Sequence, residues 1–272
     1  MNMNKLLLLI FITSISFSCK EAKKSENDMK STQEVEEDIS STMKSENTNA
    51  KIDITPIEHA TAVLEWNDVV IYLDPVGGAE AFEGQKQPTL ILITDIHGDH
   101  LNIETLNELD TSNATFVVPQ AVADELPEKF SEQLVIMNNG TSEVVSGITI
   151  EAIPMYNLRE EALKFHSNGR GNGYVLNIDD QRIYFSGDTE DIPEMRALKN
   201  IDKAFICMNL PYTMTEESAA AAVLDFKPKQ VYPYHYRGKP DVSDVEKFKN
   251  LVNAANQDIE VVQLDWYPNE EY

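Results

Sequence analysis

Cysteine is scarce in this chain. Its 272 residues include two cysteines, Cys19 and Cys207. Cys19 lies in an N-terminal leader, which leaves Cys207 as a lone thiol in the apolar stretch AFICMN. A disulfide framework is therefore excluded from the part of the chain that follows the leader. We expect Cys207 to be an inert core side chain.

Basic residues are also few. The chain has 22 Lys and Arg against 46 Asp and Glu, which gives a formal net charge of −24. This balance excludes nucleic acid as a partner bound through phosphate neutralisation, and it disfavours a basic membrane-binding surface. The P-loop motif GxxxxGK[ST] and the dinucleotide motif GxGxxG are absent, and GRGNG (169–173) is interpreted as a mobile loop before a strand.

The first nineteen residues have the pattern of an export signal. MNMNKLLLLIFITSISFSC begins with a basic residue, continues with an apolar core over Leu6–Ile12, and ends in small residues before Cys19. The apolar core is too short for a membrane-spanning helix and suits a signal peptide. Its end resembles a bacterial lipoprotein cleavage box, with Ser16 where leucine is usual. That resemblance implies an exported protein, periplasmic or at the cell surface, that touches the membrane only through a lipid on Cys19; a plain secretory signal is the alternative.

Large apolar side chains are sparse in the next segment. Residues 20–50 contain no aromatic residue and almost no large aliphatic ones. Such a segment cannot bury enough surface to offset the entropy lost on ordering. We interpret residues 20–50 as a disordered tether and residues 51–272 as the folded domain.

Strand and helix patterns alternate from Ile52 onward, with a run of strands in the middle of the domain. The stretch TLILIT (89–94) is a continuous apolar run of strand length, which is typical of a sheet buried on both faces. Alanine-rich and amphipathic stretches near the C-terminal end predict two helices, capped by Thr215 and Ser243. The pattern indicates an α/β fold with mixed sheets.

Histidines stand where α/β proteins build their sites. Four of the five, His59, His97, His100 and His235, lie at or just after a predicted strand end, and His166 lies in a glycine-rich loop. The stretch TDIHGDH places Asp95 and Asp99 beside two of them, and Gly98 is expected to let the backbone turn sharply. Imidazole and carboxylate are ligands of divalent metals.

A second carboxylate motif, Asp188 in YFSGDT, also follows a predicted strand and is a candidate bridge between two ions. The alternative for TDIHGDH is a polar turn without a metal. A Ser–His–Asp or Cys–His arrangement is absent.

Several stretches together resemble the metallo-β-lactamase superfamily, in the branch of ascorbate-6-phosphate lactonase-like metal-dependent hydrolases. The resemblance covers Ile52 to Leu264, and the matching stretches are IEHATAVLE, Asp74-Pro75, TDIHGDHL, MYNLREEALKFHSNGRGNGYVL, IYFSGDTEDIPEM, LPYTMTEESAA and YPYHY. It implies a four-layer αβ/βα sandwich of two mixed sheets, with the metals at the sheet edges.

The resemblance also implies a ligand set. One metal would be held by Asp95, His97 and His166, the other by Asp99, His100 and His235, and Asp188 would bridge the two. The chain departs from the family at Asp95, where histidine is usual. Zinc is the expected metal, and manganese and iron are the other candidates. The alternative is that Asp95 is no longer a ligand and that the site holds a single ion. His59 would contact the substrate or the ligands, or be a structural histidine.

These expectations point to a dinuclear metal-dependent hydrolase. Two ions supply a hydroxide near neutral pH, and Asp99 orients it and moves its proton. Esters, lactones and phosphodiesters of small molecules suit this chemistry. The alternatives are a phospholipase related to those that cleave N-acyl phosphatidylethanolamine, and a non-catalytic metal-binding module on the same fold.

Overall fold

The computed structural model describes residues 51–268. The predicted leader (1–19) and tether (20–50) lie outside these described residues. The described strands are β1 (Asp53–Glu58), β2 (Thr61–Trp66), β3 (Val69–Leu73), β4 (Leu90–Leu92), β5 (Thr115–Val118), β6 (Leu134–Ile136), β7 (Ser142–Val145), β8 (Ile148–Met155), β9 (Gly171–Ile178), β10 (Gln181–Phe185), β11 (Lys203–Cys207), β12 (Gln230–Tyr234) and β13 (Glu260–Val261). The α-helices are α1 (Ile103–Glu108), α2 (Gln120–Glu125), α3 (Pro193–Arg196), α4 (Glu216–Phe226) and α5 (Val245–Ala255), and short 3-10 helices span Ala79–Phe82, Glu128–Gln133 and Glu160–Ala162.

The strands form two mixed sheets. Sheet 1 has the spatial order β1 to β6, with antiparallel pairing from β1 to β3 and parallel pairing from β3 to β6. Sheet 2 runs from β7 to β13, with an antiparallel meander from β7 to β10 followed by parallel pairing from β10 to β13. The predicted α/β fold with two mixed sheets is confirmed.

Alternation along β4 shows how sheet 1 is buried on both faces. Leu90 and Leu92 pack into the core that sheet 1 shares with sheet 2, where they join side chains such as Leu176. Ile91 and Ile93 point the other way, into a second core that sheet 1 forms with α1 and α2. The continuous apolar run therefore reflects a strand with no solvent-facing side.

Helices α4 and α5 cover sheet 2. Apolar residues of α4, including Ala219 and Val223, belong to the same core as the strands of that sheet. The ring of Phe226 in α4 contacts that of Tyr184 in β10, with the ring centroids 6.2 Å apart. The order helix, sheet, sheet, helix is the predicted four-layer αβ/βα sandwich.

One of the two predicted helix caps is wrong. Thr215 caps α4 as expected, because its side chain accepts a hydrogen bond from the backbone N–H of Ser218. The cap of α5 is Asp244, whose carboxylate accepts from the N–H of Lys247 at 2.8 Å. Ser243 does not cap the helix, since its hydroxyl donates to the carbonyl of Met208.

The lone thiol of the domain is buried as expected. Cys207 ends β11 with no exposed surface, and burial raises its pKa to about 12. A thiol with such a pKa is protonated at neutral pH and is a poor nucleophile. Between residues 51 and 268, none of the helices has the length and apolar character needed to cross a membrane.

Candidate metal centre

The predicted site side chains meet where strands of both sheets end. Asp74 follows β3, the segment 94–100 follows β4, and His235 follows β12 directly. Because parallel strands finish at the same edge of a sheet, residues distant in sequence converge there. The structure brings together all the residues that the sequence singled out: His59, Asp95, His97, Asp99, His100, His166, Asp188 and His235.

A tight turn after β4 carries four of these side chains, those of Asp95, His97, Asp99 and His100. The N–H groups of His100 and Leu101 donate to the carbonyl of His97 at 2.9 and 2.8 Å. The expectation about Gly98 is wrong: its backbone is not left-handed, and an added Cβ would meet no heavy atom of the described chain within 4 Å. The turn is held by its hydrogen bonds and does not need the conformational freedom of glycine.

His100 is oriented by a buried carboxylate. Its Nδ1 lies 2.8 Å from Oδ2 of Asp74, and both side chains have no exposed surface. The backbone N–H and the hydroxyl of Thr94 donate to the two oxygens of Asp74, each at 2.7 Å. We assign the proton of His100 to Nδ1, because Asp74 is then its acceptor, and Nε2 is left with its lone pair facing the site.

One group of candidate ligands surrounds His100. Its Nε2 lies 3.1 Å from Nε2 of His235 and 3.5 Å from Oδ2 of Asp188. Nε2 of His235 is 3.0 Å from Oδ1 of Asp188 and 3.6 Å from Oδ2 of Asp99. These atoms belong to the four residues predicted to hold the second ion.

The other group forms around His166. Its Nε2 lies 3.1 Å from Oδ2 of Asp188 and 3.9 Å from Oδ2 of Asp95. Nδ1 of His97 lies 2.7 Å from that same oxygen of Asp95. Asp188 therefore stands between the two groups, with its oxygens in reach of His166, His100 and His235.

The long loop that carries His166 is tied down. The side-chain amide of Asn157 lies 3.2 Å from Nδ1 of His166 and donates to the carbonyls of Ala162 and Tyr212 at 2.9 and 2.7 Å. The carboxylate of Glu190 accepts from the backbone N–H groups of Leu158 and Arg159, both at 2.9 Å. The sequence suggested a flexible loop, because hydrogen bonds to distant residues leave no local pattern.

His59 contacts Asp99, a member of the group around His100. Its Nδ1 is 2.7 Å from the hydroxyl of Tyr267, and its Nε2 is 3.3 Å from Oδ2 of Asp99. Burial, and then the nearby His235, lower the pKa of His59 to about 4, so the ring is neutral at pH 7. The Tyr267 oxygen accepts from the N–H of Arg237 and is thus set to donate to Nδ1, which places the His59 proton on Nε2, toward Asp99.

Three site residues adopt the left-handed backbone conformation. The φ angles are 57° for His59, 43° for Asp74 and 47° for His235. Such a conformation costs a non-glycine residue about 1–3 kcal/mol and persists where neighbouring contacts enforce it. The N–H of His235 donates to the carbonyl of His59, and the N–H of His59 donates to the carbonyl of Trp266, each at 3.1 Å. The strained backbone therefore lies at residues that are candidate metal ligands or that orient one.

The centre favours positive charge. Burial disfavours ionisation of Asp188, but His235, His100 and His166 outweigh it and hold its pKa well below the usual value. Burial likewise opposes the charge of Asp95, yet its hydrogen bond with His97 and the surrounding cationic groups lower its pKa. The carboxylates are therefore ready to meet a cation, which would displace protons from the imidazoles.

The residues fit a pair of divalent ions. Ligand atoms that share one zinc ion at about 2.1 Å lie about 3–3.5 Å from one another. The separations of 3.0 to 3.5 Å among His100, His235 and Asp188 match that spacing. Oδ1 of Asp188 is buried and, within residues 51–268, accepts no hydrogen bond although His235 is 3.0 Å away. A buried carboxylate oxygen that accepts no hydrogen bond, beside two imidazoles, is an arrangement that a cation would satisfy.

The two groups open into one cavity of about 460 Å³. His97, Asp99 and His166 lie on its floor, and Phe165 and Tyr212 form an aromatic wall with ring centroids 5.0 Å apart. The cavity is also lined by Arg237, Gly238 and Lys239. Gly238 is needed there, because a Cβ would lie 1.9 Å from the carbonyl oxygen of Leu210.

Sequence reasoning missed the residues that support the ligands and line the cavity. Asp74 was noted only as part of a matching stretch, and Asn157 and Tyr267 carried no pattern of their own. Each acts through a contact that spans a loop or a sheet edge, such as the 208 positions between His59 and Tyr267. An aspartate that directly follows a buried strand was the one available indication for Asp74.

Comparison with known proteins gives consistent matches. The family profile described as "Beta-lactamase superfamily domain" matches residues 69–236. The chain is 33% identical over 205 residues to a UPF0173 metal-dependent hydrolase of Pyrococcus horikoshii, covering 71% of this chain and 89% of the relative. A crystal structure from Parabacteroides distasonis superposes with a TM-score of 0.70 at 34% identity, over 79% of this chain and 93% of that one. The metallo-β-lactamase fold protein YhfI of Bacillus subtilis, at 10% identity, shows the same fold with a TM-score of 0.62, over 78% of this chain and 95% of that one.

Replacing the carboxylate behind His100 tests its supporting role. We expect Asp74→Asn to weaken zinc binding about 10-fold to 100-fold, because an amide holds the His100 ring and its Nδ1 proton less firmly than a carboxylate. Calorimetric titration of the metal-free protein with zinc measures the effect. Asp202→Asn is the matched control, since Asp202 accepts the N–H of Arg182 outside the cavity lining. Equal zinc affinity in the Asp74 variant and the wild type would contradict the role.

Proposed function

Because the chain belongs to the beta-lactamase superfamily, with metal-dependent hydrolases among its relatives, we propose that it is a hydrolase with two divalent metal ions. The proposed substrates are small esters, lactones or phosphodiesters. The observation that carries the proposal is the position of Asp188, whose carboxylate lies within 3.5 Å of ligand nitrogens in both groups. Zinc is the proposed metal, in the branch of ascorbate-6-phosphate lactonase-like enzymes that the motifs resemble.

The proposed ligands follow the two groups. Asp95, His97 and His166 would hold the first ion, Asp99, His100 and His235 would hold the second, and Asp188 would be shared by both. When bound, the two ions lower the pKa of a shared water toward neutrality and polarise the scissile carbonyl or phosphoryl group.

Asp99 and His59 are the proposed catalytic pair. Asp99 lines the cavity with 43% of its side-chain surface exposed, which makes it the carboxylate best placed to accept a proton from the attacking water and pass it to the leaving group. Nε2–H of the neutral His59 donates to Oδ2 of Asp99 and so orients the carboxylate, whose Oδ1 lies 3.9 Å from Nε2 of His100. The hydroxyl of Tyr267 fixes the His59 ring from behind.

The cavity wall favours a substrate that carries negative charge. Arg237 and Lys239 line the same cavity as Asp99, in a chain with a net charge of −24. Local positive charge in an acidic protein attracts an anionic group to one place and so orients the bound molecule. Phe165 and Tyr212, which also line the cavity, offer an apolar surface. A small ester or phosphodiester with one anionic part and one apolar part suits this lining.

Removing the bridge between the ions tests the proposed reaction. We expect wild-type protein to hold two metal equivalents and to turn over at least one member of a panel of lactones, phosphodiesters and phospholipids. Asp188→Asn should bind less metal and lose about 100-fold or more of that activity, because the shared ligand is gone.

The control for this variant is Asp180→Asn, since Asp180 is exposed in the turn between β9 and β10. Metal content is measured by elemental analysis and turnover by product formation. One equivalent or none, without turnover, would refute the hydrolase and favour the metal-binding module. Turnover of phospholipid alone would favour the phospholipase.

Charge at the cavity wall gives a separate test. Lys239→Gln should raise the KM for an anionic substrate about fivefold while leaving kcat nearly unchanged, because a partly exposed ion pair contributes up to about 1 kcal/mol to binding. Added salt should reduce the difference. Lys229→Gln is the control, since Lys229 pairs with Asp202 and does not line this cavity. Equal KM values in wild type and variant would exclude Lys239 from recognition.

We further propose that the protein is exported and anchored to a bacterial membrane by a lipid on Cys19. The basis is the leader sequence, whose short apolar core and terminal cysteine resemble a lipoprotein signal. In cells that produce the full chain, Cys19→Ala should move the protein from the membrane fraction to the soluble fraction. Cys207→Ala is the matched control and should leave the distribution unchanged. Continued membrane association of the Cys19 variant would rule out the anchor.

A further inference from the structure

Arg170 makes a two-pronged contact with a proposed metal ligand. Its Nε donates to Oδ1 of Asp95 at 3.0 Å, and its Nη2 donates to Oδ2 at 2.8 Å. Parallel bonds between a guanidinium and a carboxylate fix the plane of both groups. Asp95 has no exposed surface and Arg170 keeps 19% of its side-chain surface exposed, so the pair is largely shielded from water.

The two oxygens of Asp95 have different surroundings. Oδ2 lies 2.7 Å from Nδ1 of His97 and 3.9 Å from Nε2 of His166, the other two members of its ligand group. Arg170 contacts both oxygens, through Nε to Oδ1 and through Nη2 to Oδ2. An ion between the two imidazoles would therefore meet Oδ2, and Arg170 fixes the plane in which that oxygen is presented.

Arg170 also joins Asp95 to the loop that carries His166. Its Nη2 donates to the carbonyl oxygen of Phe165 at 2.5 Å, one residue before His166. Its own N–H donates to the carbonyl of Ser167. One side chain thus ties the turn after β4 to the loop before β9, and these two segments supply every ligand of the first group except Asp188.

We propose that Arg170 is a positioning residue for the first metal ion, which it serves by orienting Asp95 and holding His166 beside it. The inference rests on the proposed dinuclear centre. Arg170 also offsets the charge of Asp95, because a buried carboxylate without a partner is costly. The second group does not use this arginine: His100 and His235 are oriented by Asp74 and by backbone contacts to His59.

The test is zinc titration of the metal-free protein, followed by calorimetry and repeated with Co²⁺, whose absorption spectrum reports ligand geometry. In wild type we expect two binding steps. Arg170→Gln should weaken one step about 10-fold to 100-fold and leave the other within about twofold. Arg182→Gln is the matched control, because Arg182 forms a similar ion pair with Glu151 that does not line the cavity. Circular dichroism confirms that each variant is folded.

A double variant identifies the partner. Asp95→Asn should weaken the same step as Arg170→Gln, and the double variant should lose clearly less than the sum of the two single losses, because the two changes share the contact between Arg170 and Asp95. Additive losses would overturn the inference, as would an Arg170 variant that binds both ions as wild type does or binds the first ion more tightly.

The dinuclear proposal fails separately, if wild type binds a single ion. In that case, equal affinity for that ion in wild type and Arg170→Gln would overturn the positioning role as well. A parallel loss in Arg170→Gln and Asp95→Asn would support it for the one remaining site.

Discussion

The arrangement of the centre depends on the contacts between the Asp188 carboxylate and three imidazoles. It sits, almost fully buried, between the imidazoles of His166, His100 and His235, with separations of 3.0 to 3.5 Å. A charged group in that position is tolerated because positive charge surrounds it, and its unbonded oxygen leaves a place for more. The two sheets bring these histidines together, so the surroundings of Asp188 depend on the arrangement of both sheets.

Four side chains of the candidate centre are each held by a residue behind them. Asp74 fixes His100, Asn157 fixes His166, Arg170 fixes Asp95 and Tyr267 fixes His59. The supporting contacts are buried or partly buried, where hydrogen bonds are strong and unpaired polar groups are costly. Left-handed backbone at His59, Asp74 and His235 adds local strain that these contacts outweigh. The protein's own contacts therefore set the orientation of these side chains.

Most of the fold could be predicted from the sequence, as could the side chains that meet in the candidate centre, whereas the residues that support them could not. Apolar runs such as TLILIT predict buried strands because burial on both faces removes the polar positions, and strand ends predict where His100 and His235 point. Strand β7 (Ser142–Val145) escaped prediction because its first three residues are exposed and only Val145 packs against the core. Ser243 was mistaken for a cap because a serine and an aspartate stand side by side and only the tertiary contact to Met208 separates them. Arg170 and Asn157 act across loops, where spacing in the chain says nothing about distance.

The contact between Tyr267 and His59 has a consequence for how the molecule comes into being. These two residues stand 208 positions apart, and the segment after β13 must dock against the first hairpin before His59 is oriented. Contacts of such long range form late and slow the folding of a domain. During synthesis, an incomplete chain would carry most of the ligands but not their final arrangement. Maturation of the centre is thus a post-translational event, coupled to completion of the fold.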